Sequence, residues 1–185
     1  MGRLIVISFI TLDGVVEDPD GSDRTASGGW AMQHGPQGIA GDKFRLGTIL
    51  EDGTLLFGRR TWEHFSTLWP GRDDPFSQAM NAADKAVVTH REIDPGTWSG
   101  SRAVDRPLAE WVREQPATTD LVVIGSGSVV GALAGADLVD EYRLLTFPTA
   151  VGSGRRLFAE PRLLELVSAQ QVGPAVLSVL TTRGA

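Results

Sequence analysis

Leu121-Val122-Val123-Ile124-Gly125-Ser126-Gly127-Ser128-Val129-Val130 is the stretch on which the fold turns. Its first four residues are uniformly apolar and rich in β-branching, the pattern of a strand buried on both faces. Small residues then turn the chain, and apolar positions resume as a helix ending near Gly135. A strand that runs through a tight turn into a helix is the unit of a parallel α/β sheet. The small side chains let a pyrophosphate approach the backbone. There the helix start offers N–H groups and the positive end of its dipole, with the hydroxyls of Ser126 and Ser128 as further donors.

A second junction, Leu55-Leu56-Phe57-Gly58-Arg59-Arg60-Thr61-Trp62, repeats the plan upstream. Gly58 permits the turn, a new helix presents its N–H groups, and Arg59 and Arg60 add guanidinium groups suited to phosphate. The same residues also read as a capped helix with two solvated arginines, since basic surface pairs are common. The later junction is not the fingerprint of a first βα dinucleotide unit. Its third glycine would fall at Val130, it follows a late strand, and Asp140 and Glu141 stand where a strand begins.

Working outward, Leu4 to Ile10 is a buried central strand closed by Asp13-Gly14. Residues 17–38 form a long Gly- and Pro-rich loop, of the kind that serves as a lid or binding loop. Apolar spacing predicts a helix over Asp42–Leu50. Strands are expected at Thr54–Phe57, Lys85–Thr89, Arg102–Val104 and Glu141–Phe147. Helices are expected at Thr61–Phe65, Phe76–Ala82 and from Pro107 to about Gln115. Leu163–Val172 and Ala175–Thr182, split by Gly173-Pro174, read as an antiparallel hairpin. The alternation predicts one α/β domain over residues 1–185: three αβα layers, a mixed and mostly parallel central sheet, and a C-terminal antiparallel hairpin.

Composition narrows the chemistry. The chain has no cysteine, which excludes disulfides, thiolate metal sites and a thiol nucleophile. A net charge of −6 argues against a nucleic-acid partner. The longest early apolar run, Leu4–Ile10, is far too short for a bilayer span and lacks the flanks of a signal peptide, so no membrane is expected and the expected compartment is the cytoplasm. His34, His64 and His90 are too scattered for a metal site, and no G-x-S-x-G elbow is present.

The two junctions together carry a resemblance. Phe57-Gly58-Arg59-Arg60-Thr61-Trp62-Glu63 resembles the cofactor turn of dihydrofolate reductases, and Val123-Ile124-Gly125-Ser126-Gly127-Ser128-Val129 resembles their V-I-G-G-G-x-V segment. The closer likeness is to the dihydrofolate-reductase-like group that includes the RibD C-terminal reductase domain of riboflavin biosynthesis. Ser8-Phe9-Ile10-Thr11-Leu12-Asp13-Gly14 is similar to its opening signature. Leu138-Val139-Asp140-Glu141-Tyr142-Arg143, Phe147-Pro148 and Gly152-Ser153-Gly154-Arg155-Arg156-Leu157-Phe158 are similar to its closing one.

The resemblance implies NADPH. Gly58, Arg59, Arg60 and Thr61 would hold the 2′-phosphate side, flanked by Thr89, His90 and Arg91. Ile124, Gly125, Ser126, Gly127, Ser128 and Val129 would hold the pyrophosphate, and Val15 and Val16 would border the nicotinamide. The implied reaction passes hydride to a small heterocycle, either a pterin or 5-amino-6-(5-phosphoribosylamino)uracil, in a homodimer. Arg155 and Arg156 are candidate cations for a ribose phosphate, or a solvated loop.

Two carboxylates are candidates for proton handling. Asp42 stands 16 residues before Gly58, the spacing dihydrofolate reductases use for their pterin carboxylate; it also reads as a helix cap. Asp13 lies beside the implied cofactor cleft and also reads as an Asx turn. Ser8, Phe9 and Thr146 at strand ends are candidate substrate-wall residues. Trp30 is a candidate stacking platform or a core residue. The rival class is a non-catalytic nucleotide- or ligand-binding protein on the same fold.

Overall fold

The β-branched runs become strands because their side chains fit a pleated, buried surface. The strands are β1 (Leu4–Thr11), β2 (Thr54–Gly58), β3 (Asp84–Val88), β4 (Ser101–Ala103), β5 (Leu121–Ile124), β6 (Glu141–Phe147), β7 (Leu164–Val172) and β8 (Ala175–Thr182). The helices are α1 (Pro36–Ile39), α2 (Ile49–Asp52), α3 (Arg59–Leu68), α4 (Pro75–Ala82), α5 (Leu108–Arg113) and α6 (Gly127–Gly135). This computed structural model describes residues 2–182; Met1 and residues 183–185, part of the single-domain expectation, lie outside the described residues. The sheet order is β4-β3-β2-β5-β1-β6-β8-β7. It is the mixed, mostly parallel α/β sheet with an antiparallel C-terminal pair that the sequence implies.

The chain divides into two compact units, with β1 contributing to both. The first holds residues up to Val6 and Leu46–Val139. Here β2 runs parallel to β3, with Thr54 opposite Asp84, and parallel to β5, with Thr54 opposite Leu121. Leu55, Leu56, Phe57, Ala86, Val87, Val122 and Val123 are almost wholly buried, and each large side chain so buried contributes roughly 1.5–3 kcal/mol. Within the same core lies a charged group. The Lys85 ammonium, fully buried, donates to the carbonyls of Asn81 (2.9 Å), Ala83 (2.6 Å) and Ser99 (3.0 Å) and sits 4.6 Å from the Trp98 ring centroid. Three acceptors match its three hydrogens, at the end of α4 where a cation suits the helix dipole.

The second unit holds Ile7–Arg45 and the chain from Asp140 on. In it β8 pairs antiparallel with β6 on one side and with β7 on the other, with a bulge between Leu166 and Ser168. Trp30, Tyr142, Leu145 and Phe147 fill its core.

The expected helix over Asp42–Leu50 is a correction. Only Ile49–Asp52 is helical, because Gly41, Arg45 and Gly47 adopt φ of 73°, 53° and 51°, left-handed values that a helix cannot hold. Phe44 and Leu46 are still buried, from an irregular strap rather than a helical face, and Leu50 is buried from the single turn of α2. The helix expected from Thr61 starts instead at Arg59, directly after the strand. The loop over 17–38 carries a 3₁₀ turn at Met32–His34 and the single turn of α1.

Candidate functional site

In the first unit the two junctions meet. A Cβ placed on Gly58 would overlap the Ser126 hydroxyl and stand 2.7 Å from Ser126 Cβ. A Cβ placed on Gly125 would lie 3.3 Å from the Thr61 methyl. The absence of a side chain at Gly58 is thus what allows the turn after β5 to lie against the end of β2. Gly125 and Ser126 both take left-handed φ, 60° and 57°, which re-aims the chain between β5 and α6. The value is easy for glycine and strained for serine.

Neither α3 nor α6 has a side-chain cap at its start. The N–H groups that open each helix, those of Gly127 and Ser128 in α6, are therefore left for solvent or an anion, and the dipoles of both helices favour negative charge there. Ile124, Gly125, Ser126 and Gly127 are half-buried and Ser128 is exposed, with 3.2 Å between the Ser126 and Ser128 hydroxyls. Val129 corrects its assignment. Its side chain is 4% exposed and its N–H already donates to the Ser126 carbonyl at 2.9 Å, so it supports the turn and offers no donor to a phosphate.

Cationic groups gather at the C-terminal ends of β2 and β3. Arg59 donates through Nε to Glu63 at 2.7 Å and through Nη1 to the Glu92 carbonyl at 3.2 Å, with Thr89 Oγ1 at 3.4 Å. Thr89 Oγ1 also accepts from the Arg91 N–H at 3.0 Å, which folds the segment after β3 back beside α3. Arg60, His90 and Arg91 are exposed, and among the described residues Arg60 makes no ion pair. Arg59 thus braces the segment while Arg60 is the cation at liberty to meet a phosphate.

The opening and closing signatures interlock in the second unit. Asp13 Oδ1 accepts from the Thr11 hydroxyl at 2.6 Å and from the Val151 N–H at 3.3 Å, and Oδ2 accepts from the Gly152 N–H at 2.8 Å. The Arg156 guanidinium donates to the Asp13 carbonyl, and Val15 bridges to Arg156. The Thr11 hydroxyl above all, with the Gly152 N–H, holds the Asp13 carboxyl at about 2, well below the usual carboxylate range. Asp13 thus anchors the segment at 151–152 to the turn after β1. Arg156 is committed to the same anchor, while the Arg155 side chain is exposed.

Three other assignments change. Trp30 is 1% exposed, donates its indole N–H to the Glu17 carbonyl at 2.9 Å and packs edge-on against Phe147, so it is core and not a stacking platform. The Val15 side chain is 1% exposed and forms no wall, whereas Val16 is half-buried. Asp42 is half-buried in the irregular strap, and no helix starts there for it to cap. Ser8 donates to the Phe9 carbonyl at 2.8 Å; Ser8, Phe9 and Thr146 are all half-buried near strand ends.

An aromatic cluster escaped sequence reasoning. Phe9 stacks on Phe44 (5.4 Å, 20°) and meets Phe147 edge-on, and His34 lies against Phe147 with Nε2 2.8 Å from Thr149 Oγ1. Its members come from four separate stretches of chain, so no spacing signal joins them.

The model of the RibD C-terminal domain matches residues 3–178, and so spans both interlocked signatures and both junctions. The chain belongs to the RibD C-terminal domain family. This RibD C-terminal domain is 24% identical over 193 residues to the uncharacterized protein YyaP of Bacillus subtilis (strain 168), covering 96% of this chain and 93% of that one. In structure it resembles a protein from Shewanella sp. PV-4 provisionally assigned to riboflavin biosynthesis, with a TM-score of 0.74, 19% identity and 99% of each chain covered. It also resembles Acinetobacter baumannii RibD, with a TM-score of 0.60 and 15% identity over 98% of this chain and 58% of that longer one. At these identities the structural likeness speaks for the fold. Among the described residues no helix is long and apolar enough to cross a membrane, and no cluster of His, Asp and Glu could hold a metal ion.

Proposed function

We propose that the chain is an NADPH-dependent reductase that passes hydride to a small flat heterocycle, of the pterin or ribosylaminopyrimidine type. The observation that carries this reading is the meeting of Gly58 with Ser126 and of Thr61 with Gly125. It sets two uncapped helix starts side by side, with Arg60, His90 and Arg91 exposed nearby. Two N–H-rich turns suit a pyrophosphate, and an exposed guanidinium suits a further phosphate on the ribose. Family membership and the likeness to proteins of riboflavin biosynthesis point the same way.

When bound, the cofactor supplies the hydride. The chain's own residues do the rest. Ser126, Gly127 and Ser128 would hold the pyrophosphate, and Arg60 with Thr61 the 2′-phosphate. Arg59 would keep the segment after β3 in place. Val16, Ser8, Phe9 and Thr146 would border the reacting rings. The working form is a homodimer in the cytoplasm, with no nucleic-acid partner.

A second reading, a nucleotide- or ligand-binding protein without catalysis, is favoured by one observation: the Asp13 carboxylate is taken up by the Thr11 hydroxyl and the Val151 and Gly152 N–H groups. Titration of the protein with NADPH and NADH, followed by tryptophan fluorescence, tests the cofactor. Saturable binding that favours NADPH supports both readings, and oxidation of NADPH with a reduced heterocyclic product selects the first. Binding of neither nucleotide would end the reductase reading and leave a protein of this fold that binds another ligand.

A further inference from the structure

The signature Asp140-Glu141-Tyr142-Arg143 has no role in the function proposed above, yet it builds an ion pair largely shielded from water. Glu141 and Arg143 lie two apart on β6 and so share a face. Arg143 Nε donates to Glu141 Oε1 at 2.6 Å, with side chains 12% and 10% exposed. A pair this shielded from water is costly unless its remaining donors are used. Those of Nη1 are: Arg143 Nη1 donates to the carbonyls of Phe44 at 3.0 Å and Arg45 at 2.6 Å.

Those carbonyls need an outside donor. They belong to the strap where Gly41, Arg45 and Gly47 take left-handed φ, so no helical ladder is present to satisfy them. The same strap carries Phe44, whose ring lies 5.4 Å from Phe9 at 20°. The guanidinium thus ties down the two peptide groups that aim the Phe44 ring.

We propose that Arg143, braced by Glu141, is a positioning residue that holds Phe44 flat on Phe9 by gripping the Phe44 and Arg45 carbonyls, and thereby shapes the acceptor side of the site. The last clause rests on the reading of Phe9 as a substrate wall. Lysine cannot replace the grip in full. One ammonium does not reproduce the planar fork that meets a carboxylate with one nitrogen and two carbonyls with another.

The test uses the full chain as wild type, Arg143→Lys, Arg143→Gln and Phe44→Leu. Hydrogen exchange of the amides over 42–48 should quicken about tenfold in Arg143→Gln, less in Arg143→Lys, and stay unchanged in β2, β3 and β5. With 7,8-dihydropterin as acceptor probe and NADPH saturating, KM should rise about tenfold in Arg143→Gln while kcat and NADPH affinity change little. Phe44→Leu should raise KM likewise without loosening the strap. Unchanged exchange over 42–48 overturns the grip. A loosened strap with unchanged KM overturns the acceptor role, as does a fall in kcat at constant KM. If wild type neither binds NADPH nor turns over the probe, the reductase reading fails, and the exchange data still decide the grip.

Discussion

Gly58 and Ser126 meet so closely that a β-carbon on the first would occupy the place of the second's hydroxyl. The ends of two strands distant in sequence depend on that missing methyl. Gly58→Ala should therefore push Ser126 and α6 away, destabilising the fold by about 1–3 kcal/mol through overpacking and weakening NADPH binding by more than about tenfold. Ser126→Gly, compatible with the left-handed φ at that position, should restore much of both in the double variant. Urea unfolding and fluorescence titration of the three variants check this.

Arg60 and Arg59 should behave differently. Arg60 is exposed and among the described residues forms no ion pair, whereas Arg59 is engaged by Glu63 and the Glu92 carbonyl. Loss of a charged hydrogen bond is worth roughly 1.5–3 kcal/mol, so Arg60→Ala should lower NADPH affinity more than about tenfold and leave NADH nearly unchanged. Arg59→Ala should weaken both nucleotides, because it frees the segment that carries Thr89, His90 and Arg91. Equal losses for the two cofactors in Arg60→Ala would remove it from the 2′-phosphate.

Asp13 ties stability to acid. Its carboxyl is held at about 2 in the folded protein, below the ordinary 3.8, chiefly by the Thr11 hydroxyl. The unfolded chain therefore takes up the proton first as pH falls. The stability Asp13 contributes is fully present above pH 3.8 and is lost toward pH 2. In urea unfolding between pH 5 and pH 2, Asp13→Asn should lose less than wild type over that window. Parallel losses would show that the anchor does not depend on charge.

Lys85 gives the opposite dependence. Burial pushes its ammonium down to about 8 from 10.5, with the nearby Asp84 carboxylate opposing the shift. Between those values the unfolded chain holds the proton more tightly, so the wild type should gain stability relative to Lys85→Met as pH rises from 8 toward 10.5. At pH 7 Lys85→Met should be the less stable, since each orphaned buried carbonyl costs about 1–3 kcal/mol. Thermal unfolding of both proteins across that range measures the difference.

Most strands could be read from sequence because a buried strand needs only a short apolar run, a local property. Leu121–Ile124 and Glu141–Phe147 have the bounds expected of them. The strap over 42–48 could not be so read. Its apolar spacing fits a helix, and only the left-handed φ at Gly41, Arg45 and Gly47 breaks that pattern. Arg45 has no intrinsic preference for such a value. Its peptide is held there from Arg143, 98 residues away in sequence.

The site divides along the same line. The glycines, hydroxyls and arginines of the two junctions were named from sequence, because turn chemistry and helix starts are written in neighbouring residues. Whether Trp30 stacks on a ligand or packs in a core, and what the Asp13 carboxylate ties down, depended on partners far along the chain: Phe147 for one, Gly152 for the other. By itself, then, the sequence determined the order of the strands and where the two strand-to-helix turns stand. Only the tertiary structure decided which side chains are committed and which remain at liberty. Burial and hydrogen bonding are set by contacts between distant segments, which local spacing does not encode.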